Sequence, residues 1–216
     1  VAGGWRVRAG TGGADVVIDC AEVVDAAGAW ADAVAGMAGV PRLGLRPLRR
    51  TIAVVAVPDA ARLRGPEPVL PMVCEAAERF YFKSETTAAG PALLCSPGDE
   101  TPVEPSDARP DELDVATALE RVEAATGLGL RSVRTSWAGL RSFVADRRPV
   151  VGAWPGHPGF WFFAAQGGFG IESSPALAAL GAAVITGGPV PADVPVAASA
   201  LRPDRLALTA AQPPRT

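Results

Sequence analysis

One histidine, one tyrosine and one lysine occur in 216 residues, alongside three cysteines. Each scarcity removes a class of function. With His157 as the only imidazole, a zinc or non-haem iron centre built on several histidines is excluded. A Ser-His-Asp hydrolase would have to use that same residue. His157 stands in Pro155-Gly156-His157-Pro158-Gly159, a segment that turn chemistry explains better. Cys20, Cys74 and Cys95 are widely spaced and odd in number, so they form neither a disulfide framework nor a metal site. No run of about 20 apolar residues exists that could span a bilayer. Residues 1–10 carry no signal or transit pattern, and a cytoplasmic protein is expected. The 19 arginines and Lys83 are spread along a chain of net charge -3, which does not make a nucleic-acid face.

What remains is the material of a packed protein. A hydrophobic fraction of 49% with 20% charged residues suits a globular core. The length allows one large domain or two small ones. Trp5-Arg6-Val7-Arg8 and Val16-Val17-Ile18 read as a hairpin around the glycine-rich stretch at 10–15. That stretch is no dinucleotide fingerprint, because a β-rich segment follows it where a helix should start. A short strand at 22–30 and a helix over Ala31–Ala38, stopped by Gly39 and Pro41, come next. Strands are expected at 49–57, 69–74, 79–83 and 92–96, then a polar loop to Pro110.

Asp111–Thr126 reads as an amphipathic helix with Leu113, Ala116, Leu119 and Val122 on its apolar face and Gly127 as its stop. Residues 131–143 are extended and Phe160–Ala165 form a buried strand. Gly170–Thr186 read as a helix with Pro175 in its first turn. The tail beyond Pro189 is expected to wrap the surface or fray. The pattern is α/β (α+β), with a β-rich middle inserted between α/β pieces.

Three segments, in this order and spacing, resemble the later part of the D-amino-acid oxidase superfamily of FAD enzymes. They are Val23-Val24-Asp25-Ala26-Ala27-Gly28-Ala29-Trp30, Trp137-Ala138-Gly139-Leu140-Arg141-Ser142-Phe143, and Ala164-Ala165-Gln166-Gly167-Gly168-Phe169-Gly170-Ile171. The last two, with Arg49-Arg50 and Phe80-Tyr81-Phe82-Lys83, are similar to D-arginine dehydrogenases.

The resemblance implies the C-terminal part of a FAD/NAD(P)-binding Rossmann-like domain, incomplete at its N-terminus, with an inserted antiparallel β-sheet substrate domain. The implied divisions are 1–45 and 136–190 for FAD, 46–135 for substrate, and 191–216 as a tail. The family's Gly-x-Gly-x-x-Gly turn, its acidic residue for the adenosine ribose and its lid loop are expected in a missing front part. Glu172 departs from an amide in the closest relatives and would place an extra carboxylate beside the flavin.

The implied reaction is hydride transfer from an amino acid's α-carbon to flavin, after which the imino product hydrolyses. The cofactor carries the hard chemistry and the protein orients the substrate. No strong general base is needed if the amine binds neutral, which suits a chain with almost no histidine. Arginine suits a carboxylate anchor because its planar fork meets both oxygens.

By resemblance Arg141 is that clamp; by periodicity alone it would be a strand arginine pointing to solvent. Arg50 is implied as a second cavity arginine, with Arg49 as its competitor because adjacent strand residues face opposite sides. Tyr81 is implied as a donor to the carboxylate, and otherwise as a core or interface aromatic. Met72 and Cys74 are wall or core residues.

Ala27, Gly28, Gly139, Gly167, Gly168, Phe169, Gly170, Ile171 and Glu172 are the implied FAD contacts. The glycines let backbone approach the ring, and the following helix start favours reduced-flavin charge. Gly168 would also offer its carbonyl to the substrate amine. Arg50, Tyr81 and Arg141 are expected to converge beside Gly168. A glycine or sarcosine oxidase-type relative and a non-catalytic remnant are the competing readings, and the electron acceptor stays open.

Overall fold

A computed structural model describes residues 3–10, 16–59 and 71–206. In chain order the strands are β1 (Trp5–Ala9), β2 (Val16–Cys20), β3 (Val23–Asp25), β4 (Arg46–Ala56), β5 (Val73–Cys74), β6 (Tyr81–Thr87), β7 (Gly90–Ser96), β8 (Thr101–Pro102), β9 (Val133–Phe143), β10 (Val150–Ala153) and β11 (Phe160–Ala164). The helices are α1 (Ala31–Met37), α2 (Glu112–Thr126) and α3 (Ser174–Thr186), with 3-10 turns at Gly28–Trp30 and Ala198–Leu201. The chain divides into two compact units, residues 1–46 with 141–216, and residues 47–140.

In the first unit β11 is the middle strand of three, antiparallel to β10 and parallel to β3. Its sequence, Phe-Trp-Phe-Phe-Ala, is apolar throughout because both faces of the strand are covered. Phe160, Phe162 and Ala164 point one way, into a core with Ala31 and Ala35 of α1, Val144 and Val150. Phe163 points the other way, against Val151, Leu177, Leu180 and Leu201. Each phenylalanine so buried contributes about 2–3 kcal/mol. α3 lies close to the strand: a Cβ at Gly181 would meet the Phe163 ring at 2.7 Å. The β1–β2 hairpin pairs Trp5 with Cys20 and Ala9 with Val16, as the sequence predicts. Its glycine-rich turn at 11–15 lies outside the described residues.

The second unit is an antiparallel sheet in the order β5-β6-β7-β4-β8, with β9 also pairing β4. Ala53, Val55 and Val57 alternate inward with Phe82, Leu93 and Cys95, and α2 closes over them through Ala118 and Val122. Asp111 caps α2 by accepting the Leu113 N–H at 2.9 Å, and Gly127 ends it at φ +60. Glu123 reaches past that end to accept the N–H groups of Gly129 and Leu130.

Several expectations are corrected. The buried face of α2 runs through Val115, Ala118, Leu119 and Val122, while Leu113 is exposed. At about 100° per residue, Leu113 is half a turn away from Val122, so spacing by threes does not hold one face. α3 starts at Ser174 rather than Gly170; residues 170–173 form turns whose Ser173 and Ser174 hydroxyls bond back to Phe169 and Ile171. β8 and β10 are additional strands. The tail packs rather than frays as far as Leu206: Leu201 and Leu206 are buried, and Pro203 lies 3.4 Å from where Gly152 would carry a Cβ. The expected strand at 69–74 shortens to β5, and residues 60–70 lie outside the described part.

Candidate functional site

Within the first unit β3 and β11 run parallel, with Asp25 opposite Phe162. Their C-terminal ends therefore open side by side, and ligands of α/β sheets bind beyond such ends. The segment after β3 is Ala26-Ala27-Gly28, with Gly28 at φ +58 and open space where its Cβ would be. The segment after β11 is Ala165-Gln166-Gly167-Gly168-Phe169. Ala165 adopts φ +60, which strains a residue bearing a Cβ by about 1–2 kcal/mol. Chain exits in such conformations cluster at functional sites.

Arg141 meets this second segment. A Cβ on Gly168 would lie 2.7 Å from Arg141 Nη1, and one on Gly167 would lie 2.4 Å from Phe143 Cε1. The Gly167 N–H donates to the Ser142 carbonyl at 3.0 Å, which holds the loop against the end of β9. Phe143 is buried and flanked by two guanidinium groups, Arg147 at 3.9 Å and Arg141 at 5.4 Å from its ring centre. Glycine at 167 is thus demanded by the buried Phe143 ring, whereas a Cβ at 168 would displace only the tip of Arg141. That supplies a reason for Gly167 other than close approach to a ring.

Within the second unit Arg50 and Tyr81 come together, the guanidinium 5.6 Å from the ring centre. Arg50 Nε donates to the Asp99 carbonyl at 2.8 Å, and its charge lies 3.8 Å from the Asp99 carboxylate and 3.7 Å from Glu100. Arg49 turns elsewhere and pairs with Asp114 of α2 at 2.8 Å. Buried Thr51 joins the two systems: its N–H donates to the Asp99 carboxylate, and its hydroxyl lies 3.1 Å from Asp99 Oδ2 and 3.4 Å from Asp114 Oδ2, with one proton to share between them. Arg49 therefore ties a strand to a helix, and Arg50 shares the face of the tyrosine.

Met72 and Cys74 are exposed, Cys74 opposite Tyr81 in the β5–β6 pair, so neither is a core residue. Gly139 has open space over its Cα. Phe169 and Ile171 are 60% and 93% exposed, and Ala27 is half-buried. Glu172 is exposed, on the turn before α3.

Asp25 was not among the residues anticipated. It is 2% exposed, Oδ1 accepts the Ala27 N–H at 3.1 Å, and Oδ2 has no partner among the described residues. Burial pushes its carboxyl up to about 6; the Ala27 hydrogen bond opposes the rise and the charge of Asp32 adds to it. A carboxylate inside the apolar run Val23-Val24-Asp25-Ala26-Ala27 is the signal that could have found it. Phe143 and Arg147 were missed for another reason: their pairing around Gly167 depends on a turn at Arg147, itself at φ +58. A recess of about 490 Å³ elsewhere on the first unit is lined by Trp154, Trp161, Arg202 and neighbours, and includes none of the anticipated residues.

A glycine-rich exit beside a parallel strand pair, an arginine pressed on that exit and a separate β-rich unit are the features of this mixed α/β chain. The chain belongs to the FAD dependent oxidoreductase family (DAO), whose model matches residues 1–184. It is 28% identical over 176 residues to the FAD-dependent oxidoreductase domain-containing protein 1 of Bos taurus, covering 74% of this chain and 34% of that protein. Its fold matches an L-proline dehydrogenase from P. horikoshii with TM-score 0.71 and 19% identity, over 89% of this chain and 49% of the other. It also matches glycine oxidase from Geobacillus kaustophilus with TM-score 0.62 and 23% identity, over 83% and 45%.

The mixed α/β reading stands, and FAD is the cofactor of the family. The chain spans about a third of the curated relative and about half of the solved structures. The residues present suit part of a FAD site. Open space over Gly28 and the exposed Phe169 and Ile171 are the features such a group would cover. Among the described residues no helix is long and apolar enough to cross a membrane, and no group of three or more His, Cys, Asp or Glu could hold a metal.

Proposed function

We propose that this chain supplies the substrate-anchoring part of a FAD-dependent enzyme that oxidises a D-amino acid, of the D-arginine type, to its imino acid. The observation that carries this reading is the Arg141 guanidinium resting on Gly168 at the glycine-rich exit of β11, inside a chain of the FAD dependent oxidoreductase family. FAD, when bound, supplies the acceptor for a hydride from the substrate α-carbon.

The chain's own residues do the orienting. Arg141 clamps the substrate carboxylate through charge-assisted hydrogen bonds. The Gly168 carbonyl accepts from the substrate amine, which fixes which face of the α-carbon is presented. Arg50 and Tyr81, already stacked on each other, offer a cation and a phenol donor within the second unit. Asp99 and Glu100 restrain Arg50, so it is held in place before substrate arrives. Ala27, Gly28, Gly139, Gly167, Phe169, Gly170, Ile171 and Glu172 form the cofactor contacts, with residues 1–45 and 136–190 as the FAD-binding part and 46–135 as the substrate part.

The chain by itself binds FAD more weakly than about micromolar, about -8 kcal/mol, and turns over little, because no Gly-x-Gly-x-x-Gly turn is present to seat the pyrophosphate. The test is to saturate the protein with FAD and add D-arginine, glycine, sarcosine or an L-amino acid without oxygen. Bleaching of the visible flavin band by D-arginine first supports the reading. Bleaching by glycine or sarcosine alone reassigns the substrate, and no bleaching by any of them, with FAD bound, removes the catalytic reading.

A further inference from the structure

One side chain ties the segment after the last 3-10 turn to the turn that follows β9. Arg205 lies 59 positions beyond Asp146, and its side chain is 11% exposed. Nε and Nη2 donate to the two Asp146 carboxylate oxygens at 2.8 and 3.1 Å. Nη2 also donates to the Arg148 carbonyl at 2.8 Å, and Nη1 to the Arg202 carbonyl at 2.9 Å. Leu206 anchors the same segment in the core that holds Val144.

The turn so gripped is a constrained one. The Arg147 N–H donates to the Val144 carbonyl at 2.9 Å, and Arg147 itself adopts φ +58. A residue with a Cβ keeps that conformation only where its surroundings fix it. Arg148 also pairs with Asp146, at 2.9 Å, but it is 56% exposed and belongs to the turn itself. A solvated pair of that kind holds little. Arg205 is the partner brought from outside.

The turn delivers Arg147 to the site. Its guanidinium covers the Phe143 ring at 3.9 Å from the centre, and that ring stands against Gly167. The Gly167 N–H donates to the Ser142 carbonyl at 3.0 Å. Arg141 lies 5.4 Å from the centre of the same ring and rests on Gly168. Contacts thus run unbroken from Arg205 to Arg141, and all of them lie in the first unit.

We propose that Arg205 is a positioning residue: by fixing the turn at 144–148 it holds Phe143 against Gly167 and so sets where the Arg141 guanidinium lies. Arginine suits the task because one planar fork meets a carboxylate and two carbonyls together. A lysine ammonium is a point charge on a flexible stem and meets them only in part. The consequence for substrate rests on the reading that Arg141 clamps the substrate carboxylate. A clamp already in place gives up less freedom when the ligand arrives.

The test compares the intact native chain with Arg205→Met and Arg205→Lys by NMR. It reads amide exchange and the side-chain signal of Arg141 Nε, which is buried. In Arg205→Met the Arg147 and Gly167 N–H groups should exchange about tenfold faster, because the untied turn opens more often, while the β10–β11 amides keep their native rates. The Arg141 Nε signal should shift. Arg205→Lys should restore part of the protection. With FAD added, D-arginine affinity by equilibrium dialysis should fall about fivefold in Arg205→Met and less in Arg205→Lys.

Faster exchange at Arg147 with Gly167 and the Arg141 signal unmoved overturns the proposal, because the turn then does not set the exit of β11. Exchange raised equally through β10 and β11 also overturns it, since Arg205 then merely holds the whole unit together. Where Arg205→Met does not fold, Arg205→Lys decides by the same readings. The exchange and Arg141 readings decide the proposal, and the affinity decides the clamp. Moved Gly167 and Arg141 signals with unchanged D-arginine affinity uphold the positioning role and remove the carboxylate clamp.

Discussion

Nη1 of Arg141 lies 2.7 Å from the point where Gly168 would carry a Cβ. The guanidinium rests on bare backbone, so the two residues are sized to one another. The neighbouring contact differs in kind, because Gly167 faces the buried ring of Phe143 and has φ +59.

Substituting alanine at each position should therefore separate function from stability. Gly168→Ala needs only the tip of a long side chain to move, so the melting temperature should stay within a few degrees of native while affinity for D-arginine falls. Gly167→Ala combines a disfavoured backbone with overpacking and should cost about 2–4 kcal/mol. Thermal denaturation and equilibrium dialysis check both. Equal loss of stability in the two variants would contradict the assignment.

Arg49 and Arg50 adjoin in sequence and should part in effect. Arg49→Met leaves half-buried Asp114 without its cation and should destabilise by about 1–3 kcal/mol. Arg50→Met should weaken amino-acid binding more than it lowers the melting temperature. Urea unfolding compared with ligand titration measures the split, and the reverse pattern would make Arg49 the ligand residue.

Asp146 should dominate a step of acid unfolding. Burial pushes its carboxyl up, but hydrogen bonds from Arg205 and the Arg148 N–H, with both guanidinium charges, outweigh that and hold it at about 2. The folded value lies below the unfolded one near 3.8. Its stabilisation is present above that unfolded value and is lost as pH falls through the folded one, about 2 kcal/mol in all. Asp146→Asn should remove this step from a pH series of urea midpoints, while an unchanged acid limb would exclude it.

Asp25 should act in the opposite direction. Its folded value, about 6, lies above the ordinary 3.8. Its contribution is full below the ordinary value and is lost as pH rises through the folded one, by about 2–3 kcal/mol. Without FAD, Asp25→Asn should therefore melt higher than the native chain near neutral pH and about equally in mild acid. A variant that melts lower near neutral pH would show a stabilising carboxylate.

The cysteines should react in order of access. Cys74 is exposed, Cys20 is intermediate, and Cys95 is buried with its thiol pushed up to about 12 by burial. An aromatic disulfide reagent should label Cys74 first and Cys95 only after unfolding. Early labelling of Cys95 would mean that the β4–β7 core opens readily.

Local physics was legible wherever it acts over a few residues. The β1–β2 hairpin, the Asp111 cap and Gly127 stop of α2, and the apolar strand at Phe160 all follow from side-chain alternation, capping and glycine conformation. The edge of a pattern was less legible. Gly170 read as the start of a helix, yet turns run on to Ser173 before α3 begins. The short strand β8 depends on a partner distant in the chain.

By itself the sequence determined the mixed α/β class, the family likeness and the candidate set of arginines and glycines, because these rest on residue types and spacing. Tertiary structure alone decided which groups each arginine meets. Arg49 meets Asp114 across 65 positions, Arg50 meets Asp99 across 49, and Arg141 meets Gly168 at the end of another strand. It also decided that Asp25, a carboxylate in an apolar run, ends with a buried oxygen that has no partner among the described residues. A side chain's charge is written in the sequence, but the partners and the water it loses are set by segments that only folding brings near.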